Sequence, residues 1–157
     1  MTSINFSRTY PIHESYFQIK EHAIQVLEKY VSDAGIISFN DAEKSVTFSS
    51  ERLIPANSVK RPQVLLLFSN PHPHSVRQGM FLSSNTRGRE NQFWPVMENA
   101  GLLPIAKEKR TPKQLVEICN KVLYDGPFTF IFYCYYVFPS NYPNEILKIF
   151  GKEYKKK

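Results

Sequence analysis

The stretch Pro62–Leu103, PQVLLLFSNPHPHSVRQGMFLSSNTRGRENQFWPVMENAGLL, decides the fold. Its opening, Val64-Leu65-Leu66-Leu67-Phe68, is a continuous apolar run of strand length, and such a run predicts a strand buried on both faces. Ser69-Asn70-Pro71-His72-Pro73-His74 follows, and two prolines in three positions force the chain out of a sheet. An irregular loop is then expected through Gly79-Met80-Phe81 to a polar tip at 83–90. Next comes a helix with Asn91 as N-cap, Pro95 near its first turn and Gly101 at its end, its apolar members being Trp94, Val96, Met97 and Ala100. Strand, loop and helix make an α/β unit whose loop lies at the strand's carboxyl end, where open α/β sheets gather ligands. That loop is the candidate site.

Working outward, residues 1–16 show no period and are left unassigned. Residues 17–32 place Ile19, Ala23, Val26, Leu27 and Tyr30 at helical spacing, with His22 on the opposite, solvated face and Ala34-Gly35 closing the helix. Residues 36–52 alternate weakly, which suits short strands or a hairpin. Residues 104–110 form a basic linker carrying Lys107, Lys109 and Arg110. Thr111 and Pro112 open a helix whose buried face is Leu115, Val116, Ile118, Cys119, Val122 and Leu123. Asp125-Gly126-Pro127 turns the chain into a second buried strand, Phe128–Phe138, and Asn144 caps a last short helix ended by Gly151. Strand, helix, strand in that order predicts an α/β domain with a central, mostly parallel sheet, a right-handed crossover and helices on both faces.

One domain is expected from 157 residues. Twenty Lys and Arg against 14 Asp and Glu give a formal charge of +6, which permits a polyanionic partner but also suits a solvated surface, part of it lying in Lys155-Lys156-Lys157. The two cysteines, Cys119 and Cys134, sit among apolar neighbours and are expected to pack as small hydrophobes. Two thiols are too few for a four-thiolate cluster, and no disulfide framework is suggested. With no signal pattern and no apolar run of spanning length, a soluble, cytoplasmic, monomeric protein without membrane contact is expected.

Within the loop, His72 and His74 alternate with prolines, but a metal would need a third ligand and Glu90 is distant along the chain, so no metal is expected. Arg77, Arg87 and Arg89, accompanied by Ser83, Ser84 and Asn85, either grip a nucleic-acid backbone or form a solvated loop. Phe93-Trp94 is expected to be core packing.

The ordered set Ser69-Asn70-Pro71, Gly79-Met80-Phe81, Asn91-Gln92-Phe93-Trp94 and Ala100-Gly101-Leu102 resembles the uracil-DNA glycosylase superfamily, nearest its mismatch-specific uracil/thymine and single-strand-selective branches. The resemblance implies a three-layer α/β/α fold and a cofactor-free, monofunctional enzyme that hydrolyses the N-glycosidic bond of uracil or a related damaged base in DNA. It implies that Asn70 positions the attacking water and that Phe81, or Leu82 in an alignment shifted by one, stacks on the flipped base. Ser69 would contact that base, His74 that base or a phosphate, and Arg77, Arg87 and Arg89 the DNA backbone. An amide suits the water because it donates and accepts without ionising; the bland role for Asn70 is a turn residue. Two positions depart from the family's pattern: Phe68 stands where a small residue is usual, and Phe81 follows Gly79 one residue early. The family's second motif, a His or Asn with Pro-Ser, has only Phe138-Pro139-Ser140-Asn141 to match it, too early in the fold, so a truncated or shortened member is expected. The alternatives are a non-catalytic nucleic-acid-binding relative and a small α/β interaction protein.

Overall fold

The computed structural model describes residues 5–12, 14–29, 36–57, 59–83, 88–135 and 144–150. In chain order the elements are β1 (Asn5–Pro11), α1 (Tyr16–Glu28), β2 (Ile37–Asn40), β3 (Ser45–Leu53), β4 (Gln63–Phe68), α2 (Pro73–Gln78), α3 (Phe93–Asn99), α4 (Pro112–Lys121), β5 (Thr129–Cys134) and α5 (Asn144–Phe150), with a 3-10 turn at Lys107–Lys109. The five strands form one mixed sheet in the order β1-β3-β5-β4, with β2 also paired to β3.

The expectation of a mostly parallel sheet is corrected here. Among the described residues only β4 and β5 run parallel; β1–β3, β2–β3 and β3–β5 are antiparallel. The reason is the connections. Four residues join β2 to β3, and Asn40 Oδ1 accepts the Ala42 and Glu43 N–H groups at 3.1 and 3.2 Å, a local turn that can only return the chain antiparallel. A crossover long enough for parallel pairing exists between β4 and β5, through α2, α3 and α4. The unassigned N-terminal region supplies β1, the missed strand; it carries alternation too weak to stand out beside Arg8 and Pro11.

A second correction concerns β4. Its partner β5 covers one edge, and among the described residues nothing pairs with the other. One face packs inward through Val64, Leu66 and Phe68, whereas Leu65 and Leu67 are 57% and 58% exposed. An apolar run fixes the strand but not the number of faces its neighbours cover.

Two cores flank the sheet. Near β2 and β3, α1 and α5 bury Val46 and Phe48, and the Phe150 ring meets Phe48 edge-on at 5.3 Å. Asp41 ties α1 to the hairpin by accepting from Tyr16 Oη at 2.7 Å and pairing with Lys20 at 2.6 Å. Over β5 and β4, α3 and α4 bury Trp94, Leu103, Leu115 and Cys119 against Phe130 and Phe132. Thr111 precedes α4 with Pro112 at its first position, as expected, but Leu123 is 60% exposed because Val122 turns left-handed (φ 54°) and rotates its successor outward. Gly126 sits where a Cβ would lie 2.4 Å from the Leu102 carbonyl oxygen, so the turn into β5 passes too close to the α3 exit for any side chain. The expected continuation of β5 over 136–138, the helix end at 34–35 and the Pro139–Ser140 segment lie outside the described residues.

Candidate active site

β4 ends at Phe68, and Pro71 and Pro73 turn the chain away from the sheet, as their fixed φ requires. The loop is less irregular than expected: Pro73 starts the short helix α2, preceded by His72 in an extended conformation and closed by Gly79 at φ 66°. The chain then drops Met80 and Phe81 into the core, both 4% exposed, and rises again at Leu82, whose φ is 51°. The Leu82 carbonyl accepts Trp94 Nε1 at 2.9 Å, and Ser83 Oγ lies 3.3 Å from Ser75 Oγ. Asn91 Oδ1 accepts the Phe93 N–H at 3.0 Å, but the N-cap of α3 is Gln92, one residue later than expected, and its side chain makes no cap bond.

Between α2 and the head of α3 these turns enclose a cleft of about 400 Å³. One wall carries His72, His74 and Ser75, the base Leu82 and Ser83, and the far wall Arg89, Glu90, Asn91 and Gln92. Its lining can donate from imidazole, amide and guanidinium groups, can accept on Glu90, and offers one apolar surface in Leu82. The far wall is anchored by Arg110, whose side chain is 4% exposed. That guanidinium donates to Glu90 at 2.7 Å, to the Ile105 carbonyl at 2.8 Å and to Glu98. Arg110, taken from sequence as part of a basic linker, is therefore a buried strut rather than a surface cation.

The expected site residues divide. His74 and Arg89 line the cleft, and Asn70, Ser69 and Arg77 do not. Asn70 is half-buried in the bend after β4, two residues before His72; Ser69 and Arg77 are exposed. Arg87 lies outside the described residues. Phe81 is corrected: its ring packs 5.6 Å from Phe68 and 5.5 Å from Phe132 in the core, so the apolar surface of the cleft is Leu82, the neighbouring alternative. The early position of Phe81 after Gly79 has this consequence, since Met80 and Phe81 both descend before the chain can return to the surface. Trp94 and both cysteines pack as expected. Burial pushes the Cys119 thiol up to about 12 and the Cys134 thiol higher still, which leaves neither reactive.

Sequence reading missed Glu51. It is 2% exposed on β3, it accepts a hydrogen bond from the His72 backbone N–H, and its Oε2 is buried with no hydrogen-bond partner. Burial raises its carboxyl to about 8, against which the His72 bond works only partly. The available signal was its phase: Glu51 lies two residues before Leu53, on the same side of the strand. No group of three or more His, Cys, Asp or Glu able to hold a metal occurs among the described residues. Among them, no helix is long and apolar enough to cross a membrane. Comparison with family models, with curated proteins and with solved structures returned no match for this chain.

Proposed function

We propose that the cleft between α2 and α3 receives a base extruded from DNA and that the chain is a uracil-type DNA glycosylase. The observation that carries this reading is the cleft's position and lining. It begins at His72, in the turn after the carboxyl end of β4 and directly after Ser69-Asn70-Pro71, and it offers donors and acceptors around a single apolar residue. In this reading the sheet is the middle of a three-layer α/β/α unit.

Hydrolysis of the bond between a base and sugar C1′ passes through positive charge on the sugar and needs no ionised nucleophile, only a held water and a seat for the departing base. Leu82 meets the face of the base, and Asn91, Gln92 and His74 address its polar edge. Arg89, exposed at the rim, takes a flanking phosphate. Asn70, at the bend leading into the cleft wall, holds the water through its amide. The test is release of free base from end-labelled oligonucleotides carrying uracil opposite guanine, opposite adenine, or in a single strand. Release from at least one is expected, and release from none defeats the enzymatic reading.

A second reading, a nucleic-acid-binding relative without catalysis, is favoured by one specific feature: Asn70 stands off the cleft lining and Phe81 is locked in the core. It predicts binding of the same oligonucleotides with no base released.

A further inference from the structure

The sheet has a second face that the cleft does not use. Arg52 stands opposite Tyr133 in the β3–β5 pairing, and Leu67 stands beside Tyr133 in the β4–β5 pairing. Cross-strand partners point to the same side, so these residues share one face with Leu65. β1 adds to it: the Phe6 ring stacks on Tyr133 at 6.1 Å, Arg8 Nη2 donates to the Tyr133 hydroxyl at 3.0 Å, and the Arg52 guanidinium lies 5.1 Å over Phe6. The helices α1 and α5 cover the neighbouring part of the sheet, over Phe39 and Phe48, and leave Leu65 and Leu67 more than half exposed. Arg52 is exposed too, while Phe6, Arg8 and Tyr133 are half-buried.

We propose that this face binds single-stranded nucleic acid, with Phe6 and Tyr133 as stacking platforms and Arg8 and Arg52 as phosphate contacts. Charge selects the occupant: the described strand residues of this face include two arginines and no carboxylate, in a chain of formal charge +6. The chemistry fits a strand with unpaired bases, because rings and guanidinium planes stack on any base while a basic sheet face follows the backbone. A duplex hides its base faces and would engage only the arginines. The Arg8–Tyr133 bond and the two arginine contacts with Phe6 hold the platform in shape before a strand arrives. The surface stands independently of the cleft, and it would grip a strand whatever base that strand carries.

The test is fluorescence anisotropy of a uracil-free labelled oligothymidylate with the whole chain, beside a duplex of equal length. The single strand should bind more tightly and with a steeper dependence on this face. Arg52→Glu should weaken it roughly tenfold or more and flatten the salt dependence. Arg8→Gln should weaken it less, with thermal melts showing both variants folded. Leu123→Ser, exposed after α4 and part of neither surface, should leave this affinity unchanged. A folded Arg52→Glu variant that binds as well as the parent overturns the proposal, as does loss of binding in a folded Leu123→Ser. A dimer in sedimentation that Leu67→Glu dissociates would give the face to a second copy and equally overturn it. Absence of base release from uracil substrates, with Arg52-dependent binding retained, removes the cleft reading and leaves this one standing.

Discussion

Asn70, to which the proposed reading gives the water, and Glu51, a buried carboxyl with one unpartnered oxygen, were unequally visible. Asn70 announces itself because it precedes proline at the end of an apolar strand, so its position in the fold can be read without coordinates. It is half-buried in a bend and carries little core packing. Asn70→Ala should therefore melt within a few degrees of the parent, still bind uracil-containing DNA, and release base more slowly by about two to three decades, the scale of one positioned polar group. Equal rates in single-turnover assays would return Asn70 to a turn role. The phase of Glu51 places it beside Leu53, but its burial was not legible, because that depends on what other segments bring over it, here the His72 backbone and Cys134 of β5. Its carboxyl value near 8, against an ordinary 4.5, means that the folded chain holds this proton more tightly than the unfolded chain. Stability from this group is full below about pH 4.5, falls by up to about 1.4 kcal/mol per unit as pH rises, and is gone above the folded value near 8. Urea midpoints at pH 6 and pH 9 should differ in the parent and converge in Glu51→Gln; an unchanged difference would assign the pH dependence elsewhere.

At the scale of elements, the cleft depends on holding α3 and its preceding loop against the basic linker. Arg110 does this with three acceptors at once, on Glu90 in the loop, Glu98 in α3 and Ile105 in the linker. Its removal leaves two partly exposed carboxylates adjacent and a linker carbonyl without its donor. Arg110→Ala should cost about 2–3 kcal/mol, below the full penalty of a wholly buried pair because Glu90 and Glu98 keep some water. Arg110→Lys should recover only part of it, since an ammonium cannot present the planar fork. Thermal melts check both; a parent-like Tm in Arg110→Ala would show that the loop needs no strut. Sequence gave Arg110 a charge and a neighbourhood of other cations, and nothing local reveals partners 12 and 20 residues earlier. The helices themselves were better marked: Pro112 at the first position of α4 and Gly101, at φ 66° after α3, act within a single turn, so their signals need no tertiary context.

At the scale of the whole molecule, the two apolar runs were correctly strands and correctly parallel to each other, while the sheet around them was not correctly foreseen. Val64–Phe68 and Phe128–Phe138, the latter described as strand over Thr129–Cys134, identify themselves by composition, and the helices between them oblige a crossover. The antiparallel half comes from β1 and from a hairpin whose weak alternation sets neither order nor neighbours. Leu65 and Leu67 show the same limit: their side chains look like core in a string of letters, and only the covering of the sheet decides that they face outward. The candidate site was legible as a place, since the loop after β4 is where the cleft opens, and less legible as a list, since Phe81 sinks and Leu82 replaces it. In the proposed reading this cleft seats the extruded base. The most direct test compares single-turnover base release by the parent and by Leu82→Arg, whose longer, charged side chain would occupy the cleft from its base. Release of uracil by the parent, loss of release in the variant, and nearly equal melting of the two are expected. A folded Leu82→Arg variant that releases base at the parent rate would contradict that reading.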